Sequence, residues 1–305
     1  MSKNQRQVLL VPHTGRADNI AATERAAQVL TAAGLTVRVL VSGGRESSAL
    51  FAEYPLVEHS PEAAQGCELV LVLGGDGTFL RAADLARAVD IPVLGINLGH
   101  VGFLAEWDAT SLDEALNRVI DRSYRVENRM TLDISVYSPE GDKIGSSWAL
   151  NEVSMENLNR SGVLDAVLEV DARPVMGFGC DGVLVATPTG STAYAFSAGG
   201  PVMWPEVEAI LVVPNNAHAL FTKPLVVSPN STVAIESASA TSPAIVKMDG
   251  FREISMPAGS RIEISRGSRE VRWVRLDEAP FTDRLVTKLR LPVEGWRGPH
   301  RRNKQ

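Results

Sequence analysis

The hydrophobic pattern changes near residue 125, and this change constrains the fold more than any other feature of the sequence. Before it, short apolar runs such as Val8–Pro12 and Glu68–Leu73 alternate with segments whose apolar residues recur at a helical period. Strands without polar alternation, separated by helices, are typical of a parallel sheet that is covered on both faces. We therefore predict an α/β, Rossmann-like domain over residues 1–125.

After residue 126, apolar and polar residues alternate along successive segments, of which Ser146–Met155 and Arg261–Leu276 are examples. Alternation with a period of two, bounded by Gly, Pro, Asn or Asp, indicates antiparallel strands. Many such strands in roughly 150 residues predict a β-sandwich-like domain, which we place over residues 126–280. The remaining residues, 281–305, form a C-terminal segment whose basic end is predicted to be a flexible, solvated tail.

Composition and charge exclude several functional classes. The net charge is −6 at pH 7, so no overall basic field attracts nucleic acid or a membrane surface. The two cysteines, Cys67 and Cys180, and the five histidines show no metal-ligand spacing. No apolar run in the sequence has the length of a signal peptide or a membrane span. We expect a cytoplasmic protein that binds neither nucleic acid nor membrane.

The apolar run Glu68–Leu73 ends abruptly at Gly-Gly-Asp-Gly-Thr, residues 74–78. At the carboxyl end of a parallel strand, such a turn lies where these sheets bind ligands. Glycines can take positive φ and bring backbone N–H groups close to an anion, and a helix predicted from Thr78 adds further donors. Arg81, one turn into that helix, adds a cation. The residues predicted to form a phosphate loop are Gly74, Gly75, Gly77 and Thr78.

Asp76 lies in the middle of this loop, where a carboxylate repels a phosphate unless it has a chemical task. It could bind a metal that bridges phosphates, or accept a proton from a nucleophilic hydroxyl group. A plain turn with Asp as the turn former is the structural alternative. The sequence contains no Walker P-loop, no protein-kinase motifs and no hydride-transfer glycine fingerprint. The loop alone leaves several kinase classes open.

Two further segments offer polar or aromatic groups at predicted strand ends. In Ile96–Glu106, two glycines permit an open loop, and Phe103 could stack on a heterocycle or belong to the core. Asn151 and Glu152 interrupt an apolar strand context. They could read ribose hydroxyls or an adenine edge, or could mark a bulge or a solvated strand end.

The segment Cys180–Val202 is the most informative one. A buried strand is followed by a turn rich in small hydroxyl residues, and a short helix is predicted from Ser191 to Ala198. Small residues at a helix start let a ligand approach the backbone closely, and hydroxyl groups bond it without much bulk. Tyr194 adds an aromatic face with a polar tip. This composition indicates a binding segment.

Together these motifs resemble those of the NAD kinase family, in its bacterial form that uses ATP or polyphosphate. The resemblance extends over about residues 7–290. It rests on Gly74–Thr78, Asn97–Leu104, Asn151-Glu152, Asp181-Gly182 and Thr187–Tyr194. The first motif is shared with diacylglycerol-type lipid kinases, whereas the last is specific to NAD kinases. Met248–Gly250 resembles another shared turn, but Phe251 stands where the family often has glutamine.

The resemblance implies an NAD kinase/diacylglycerol kinase-like fold with a nucleotide-binding first domain and an NAD-binding second domain. It implies transfer of the γ-phosphoryl group of ATP, or of a phosphoryl group of polyphosphate, to the 2′-hydroxyl of the adenosine ribose of NAD. Asp76 is then the general base, and Mg²⁺ or another divalent cation arrives with ATP, its protein ligands unknown. A homo-oligomer, dimer or tetramer, is also implied.

The residues that the resemblance implies for nucleotide contacts are Asp76, Gly77, Arg81, Phe103, Asn151, Glu152, Asp181, Thr192, Ala193, Tyr194, Ala195, Phe196, Ser197 and Asn216. Two alternative functions remain. One is a non-catalytic dinucleotide sensor on the same scaffold, against which the presence of Asp76, Asn151 and Glu152 together argues. The other is a lipid kinase with the same glycine loop. The sequence shows neither an apolar acceptor groove nor a basic interfacial helix, and their absence argues against this alternative.

Overall fold

The computed structural model describes residues 5–41, 49–97, 102–104, 112–158, 163–238, 243–276 and 280–293. The chain folds into two compact units. The first combines residues 1–127 with residues 272–305, and the second comprises residues 128–271. The chain therefore leaves the first unit once and returns to it, whereas the division expected from the sequence keeps residues 126–280 together. The basic end of the C-terminal segment lies outside the described residues.

The first unit is built on a seven-stranded sheet in the order β3-β2-β1-β4-β5-β19-β6. Strand labels follow chain order. These strands are β1 (Gln7–Pro12), β2 (Thr36–Val41), β3 (Leu56–Glu58), β4 (Leu69–Leu73), β5 (Val93–Ile96), β6 (Arg125–Arg129) and β19 (Val271–Arg275). Neighbouring strands from β3 to β19 run parallel. This confirms the predicted α/β domain with a parallel sheet.

Among the described residues, four helices accompany this sheet: α1 (Ala17–Ala32), α2 (Asp76–Ala88), α3 (Leu112–Asp121) and α5 (Phe281–Leu289). The apolar faces of α1 and α3 share one buried cluster with side chains of the strands. Strand β3 was not predicted, because three residues are too few to show a period. No helix in the described segments is long and apolar enough to cross a membrane.

The second unit contains two six-stranded antiparallel sheets, in the orders β11-β10-β15-β18-β7-β8 and β14-β13-β12-β9-β16-β17. The strands are β7 (Leu132–Tyr137), β8 (Lys143–Ala149), β9 (Glu152–Asn157), β10 (Leu164–Val170), β11 (Arg173–Cys180), β12 (Gly182–Ala186), β13 (Ile210–Asn215), β14 (Leu225–Val227), β15 (Val233–Ser237), β16 (Ala244–Met248), β17 (Arg252–Met256) and β18 (Arg261–Arg266). Side chains from both sheets, such as Ile134 and Val185, share one buried cluster. The predicted sandwich is confirmed.

Two segments that the alternation predicts as single strands are divided in the structure. Ser146–Met155 becomes β8 in one sheet and β9 in the other, so Leu150 and Asn151 form the crossing between the sheets. Arg261–Leu276 becomes β18 of the sandwich and β19, which joins the parallel sheet by pairing Trp273 with Val93. The alternation is interrupted at both breaks, by Asn151 and Glu152 in the first segment and by residues 265–270 in the second. Such an interruption can mark a strand end, but it does not show which sheet the next strand joins.

Candidate functional site

The glycine-rich loop between β4 and α2 is tied to the strands on either side of β4. The His13 N–H donates to the Leu73 carbonyl at 2.9 Å, and the Gly74 N–H donates to the Ile96 carbonyl at 3.0 Å. A Cβ on Gly74 would lie 2.9 Å from the His13 Cβ and 3.0 Å from the Thr78 Oγ1. Packing therefore requires glycine at position 74, and the loop is held at the carboxyl edge of the sheet.

The loop corrects two expectations. Helix α2 begins at Asp76 and not at Thr78, because Gly75 is its N-cap and accepts from the N–H groups of Thr78 and Phe79, both at 3.0 Å. None of the three loop glycines has a positive φ, and Gly75 lies at φ −85°. What Gly75 and Gly77 provide is space, since a Cβ at either would meet nothing within 4 Å. The helix start is thus open to a bulky anion.

Asp76 is the first residue of α2, and its carboxylate is oriented by the backbone. Its Oδ2 accepts from the Phe103 N–H at 3.2 Å, and its Oδ1 accepts from the Leu104 N–H at 3.1 Å. The side chain is half-buried. Since hydrogen bonds from the main chain hold both oxygens, the position of the carboxylate is fixed by the fold.

A cavity of about 410 Å³ opens over this carboxylate, and all its lining residues belong to the first unit. They are His13, Arg16, Asn19, Gly75, Asp76, Gly77, Thr78, Arg81, Asn97, Gly102 and Lys288. Among these residues Asp76 is the one acid, whereas Arg16, Arg81 and Lys288 are basic. Cations, open glycines and a helix N-terminus together suit a phosphorylated ligand.

Several lining residues were not among those predicted. His13 and Arg16 follow β1, and Lys288 comes from α5, more than 200 positions along the chain. The first two had a signal, because β1 is a neighbour of β4 and its carboxyl end lies at the same sheet edge. Lys288 had none. Its Nζ lies 5.8 Å from the ring centre of Phe103, whose ring also lies 6.4 Å from that of Phe281.

A second group of predicted residues lies in the sandwich unit, at the crossing between β8 and β9. Asn151 and Glu152 are 7% and 8% exposed. Among the described residues, the Asn151 Oδ1 and the Glu152 Oε2 have no hydrogen-bond partner, although both atoms are buried. Buried polar atoms are nearly always bonded. These two atoms therefore have hydrogen-bonding capacity that the described residues do not use.

Glu152 is also electrostatically unusual. Burial raises its pKa to about 8, the nearby charge of Asp249 adds to the rise, and the Tyr194 N–H opposes it. Burial raises the pKa of Asp249 as well, but hydrogen bonds from backbone N–H groups and the charge of Arg252 oppose that rise. Because its pKa is raised to about 8, the Glu152 carboxyl group holds a proton near neutral pH, and its O–H can donate.

The remaining predicted residues gather around the ends of β12 and β13. The Asn216 Nδ2 donates to the Asp181 Oδ2 at 2.8 Å, and the Asn215 Nδ2 donates to the Tyr194 hydroxyl at 3.5 Å. Asn216 has a positive φ of 50°. Tyr194 is 41% exposed, so its ring is accessible to a ligand.

The helix expected from Ser191 to Ala198 is instead a 3₁₀ turn (Thr189–Thr192) followed by α4 (Tyr194–Ser197). The break falls at Ala193, whose φ of −102° and ψ of −128° are not helical. Ala195 belongs to a buried cluster, so that only its backbone can meet a ligand, whereas Phe196 and Ser197 are exposed. The Thr192 hydroxyl donates to the Thr189 carbonyl at 3.3 Å.

Two family models match the chain: the ATP-NAD kinase N-terminal domain over residues 8–124 and the ATP-NAD kinase C-terminal domain over residues 150–276. The NAD kinase of Corynebacterium diphtheriae is 67% identical over 297 residues, covering 96% of this chain and 94% of the relative. That of Corynebacterium efficiens is 70% identical over 298 residues, covering 97% and 94%. The chain belongs to the ATP-NAD kinase family.

Solved structures of related kinases have the same fold. The yeast NADH kinase complexed with NADH matches 98% of this chain and 90% of its own with a TM-score of 0.82, at 22% identity. An NAD kinase from Archaeoglobus fulgidus in complex with ATP matches 94% of this chain and 98% of its own with a TM-score of 0.67, at 25% identity. The α/β unit and the sandwich unit are thus an ATP-NAD kinase architecture.

Within the described part of this ATP-NAD kinase, no group of three or more His, Cys, Asp or Glu side chains is arranged to hold a metal ion. The cavity does present oxygen donors: the Asp76 carboxylate, the Thr78 hydroxyl and the Asn97 amide. Such a sparse set suits a hard cation that takes most of its ligands from phosphate and water.

Proposed function

We propose that this ATP-NAD kinase family member transfers the γ-phosphoryl group of ATP, or a phosphoryl group of polyphosphate, to the 2′-hydroxyl of the adenosine ribose of NAD, giving NADP. One observation carries the proposal. A single backbone-oriented carboxylate, that of Asp76, stands in a cavity whose other charged lining residues are cations. That combination matches a phosphoryl donor site with a proton acceptor beside it.

The donor phosphates bind at the start of α2 in this proposal. The amides of Gly75 and Gly77 approach them without interference from side chains of their own, and Arg16, Arg81 and Lys288 neutralise their charge. Mg²⁺ fits the sparse oxygen donors of the cavity and supplies further charge neutralisation when it arrives with ATP. The first unit is accordingly the nucleotide-binding domain.

Asp76 is the general base. As the ribose 2′-oxygen forms its bond to the γ-phosphorus, the bond from that phosphorus to the bridging oxygen breaks and ADP leaves. The hydroxyl proton passes to the Asp76 carboxylate. The N–H groups of Phe103 and Leu104 keep the carboxylate oriented for this transfer. Orientation matters because most of the acceleration in phosphoryl transfer comes from positioning and electrostatics.

The sandwich unit is the NAD-binding domain. Asn151 and Glu152 offer an unpaired acceptor and, in the protonated carboxyl group, a donor to the dinucleotide. Asp181, the segment Thr192–Ser197 and Asn216 supply the remaining contacts. The exposed ring of Tyr194 and the paired side chains of Asp181 and Asn216 are available for this role.

An assay of NADP formation from NAD, ATP and Mg²⁺ tests the proposal, with polyphosphate replacing ATP in a parallel reaction. We expect NADP to form with at least one donor. Binding of NAD without turnover would favour a dinucleotide sensor instead, and phosphorylation of a diacylglycerol but not of NAD would favour a lipid kinase. We also infer a dimer or tetramer from the resemblance to the family, which light scattering of the purified protein tests.

A further inference from the structure

The crossing between β8 and β9 is only two residues long, Leu150 and Asn151, and one carboxylate binds both of its N–H groups. The Leu150 N–H donates to the Asp249 Oδ2 at 2.9 Å, and the Asn151 N–H donates to the Asp249 Oδ1 at 2.7 Å. Each oxygen of Asp249 thus holds one residue of the crossing. Bonds from two successive amides to one carboxylate fix the peptide plane between them.

The carbonyl groups of the same two residues are held from the opposite side by Thr187. Its Oγ1 donates to the Leu150 carbonyl at 2.6 Å, and its N–H donates to the Asn151 carbonyl at 2.9 Å. The Gly190 N–H donates to the Thr187 Oγ1 at 3.1 Å, and a Cβ on Gly190 would lie 1.9 Å from the Asn151 carbonyl oxygen. All four backbone polar groups of the crossing are therefore bonded.

Asp249 is itself held firmly. It lies in the turn between β16 and β17, where it and Gly250 have φ values of 52° and 72°. Its N–H donates to the Glu152 carbonyl at 3.0 Å, and its side chain is 1% exposed. The Arg252 Nη2 lies 2.7 Å from its Oδ2, and that guanidinium lies 4.3 Å from the Trp148 ring centre. The carboxylate has little freedom to move.

We propose that Asp249 is a positioning residue for the dinucleotide, which acts by fixing the crossing so that the Asn151 Oδ1 and the Glu152 Oε2 face the ligand unpaired. The inference rests on the proposed function, because it takes NAD as the ligand. A turn former alone does not account for the geometry. Asp at positive φ needs no buried carboxylate, yet here both oxygens bind the neighbouring strand connection.

The first test is Asp249→Asn, with NAD binding measured by calorimetry in the absence of a phosphoryl donor. Asn suits the positive φ of this turn as well as Asp does, so the turn persists. The side-chain amide of the introduced Asn has only one acceptor oxygen, so one N–H group of the crossing loses its hydrogen-bond partner. The Arg252 guanidinium also loses the negative charge that it pairs with. We expect the Kd for NAD to rise at least about tenfold, while the KM for ATP stays within about twofold.

Asp171→Asn is the matched control. Asp171 also lies in a hairpin turn, between β10 and β11, at φ 52°. Its carboxylate accepts from the Thr232 N–H at 2.9 Å and from the Ser231 hydroxyl at 3.0 Å. This turn belongs to the other sheet of the sandwich. We expect the Kd for NAD and the KM for ATP to stay within about twofold of the parent values, since the turn type is kept and Asn151 is untouched.

A double-mutant cycle separates positioning from general stabilisation. In the Asn151→Ala/Glu152→Ala background, Asp249→Asn should change the Kd for NAD by less than about twofold, because the side chains through which it acts are gone. An equal rise in the Kd for NAD in the parent and in the Asn151→Ala/Glu152→Ala background would overturn the inference. An unchanged Kd for NAD in the Asp249→Asn variant of the parent would overturn it as well.

Thr187→Val serves if Asp249→Asn fails to fold, since it removes one hydroxyl from the other side of the crossing and keeps the side-chain shape. We expect it to raise the Kd for NAD about threefold without affecting the KM for ATP, and an unchanged Kd would overturn the inference. Because these tests measure binding, a parent that binds NAD but forms no NADP would refute the proposed function alone. A parent that does not bind NAD would refute both.

Discussion

The glycine loop and the Leu150-Asn151 crossing offer a ligand opposite parts of the chain. At the loop, side chains are missing from Gly75 and Gly77, and the backbone faces an open cavity. At the crossing, every backbone polar group is bonded, and the unpaired atoms belong to side chains. Main-chain amides bind any phosphate of suitable size, whereas buried side-chain atoms discriminate by hydrogen-bond pattern. Under the proposed function, the glycine loop would tolerate different phosphoryl donors, whereas the crossing would select the dinucleotide.

Each of these two regions contains an acid, and the surroundings of the two acids differ. Asp76 is half-buried beside a cavity, and N–H groups bind both of its oxygens. Glu152 is nearly cut off from water, close to a second carboxylate, and holds its proton up to about pH 8. Acids in such different surroundings suit different tasks: accepting a proton during the reaction and donating a hydrogen bond to a bound nucleoside.

The largest effect is expected from Asp76→Asn. An amide cannot accept the hydroxyl proton, so we expect kcat for NADP formation to fall at least about 100-fold, or about 2.7 kcal/mol in activation free energy. The Kd for NAD measured by calorimetry should change little. Equal turnover by variant and parent at saturating substrates would contradict the base role of Asp76.

Glu152→Gln tests the buried acid through stability. Because the pKa of Glu152 is raised to about 8 in the folded protein, the folded state retains a proton that the unfolded state releases. The contribution of Glu152 to the free energy of unfolding is therefore most favourable below pH 4.5, and it is lost as the pH rises towards 8. Between pH 5 and 7.5, the free energy of unfolding of the parent should fall by about 2–3 kcal/mol more than that of the variant. Parallel urea-denaturation profiles would count against the raised pKa.

Gly75→Ala and Gly74→Ala form a matched pair at the loop. A Cβ on Gly75 meets nothing, so this variant should fold normally but obstruct the donor, raising the KM for ATP about tenfold. A Cβ on Gly74 collides with His13 and Thr78, so that variant should lose about 1–3 kcal/mol of stability. Thermal melting and steady-state kinetics distinguish the two. A Gly75→Ala enzyme with parental KM would show that the phosphates do not approach this amide.

Lys288→Met should have the smallest effect. Loss of one of three cations in the cavity should raise the KM for ATP about three- to fivefold, with the Kd for NAD unchanged. Lys288→Arg keeps the charge and is the control. If Lys288→Met and Lys288→Arg gave the same KM for ATP, the charge of Lys288 would have no part in donor binding.

The sequence predicted the elements whose pattern is local. Strand β4 was predicted within one residue, because a strand buried on both faces is an uninterrupted apolar run. The end of that run also located Asp76 and its glycines. The change in pattern near residue 125 lies close to Glu127, where the first unit passes to the second.

What the sequence could not predict depends on contacts distant in the chain. Asn151 and Glu152 interrupt the alternation after Leu150, but nothing in the pattern shows that the next strand joins the other sheet. Lys288 reaches the cavity only because β19 and α5 return to the first unit. The start of α2 was misplaced because a glycine-rich turn predicts a loop, while the backbone from Asp76 is already helical.

The return of β19 to a position between β5 and β6 has a consequence for biosynthesis. The sandwich is continuous in sequence, whereas the parallel sheet takes an interior strand from residues that follow the whole sandwich. A chain released after residue 271 would contain every strand of the sandwich but would lack β19 of the parallel sheet. Lys288 would also be absent, so the cavity of the first unit is complete only once the residues of β19 and α5 have been synthesised.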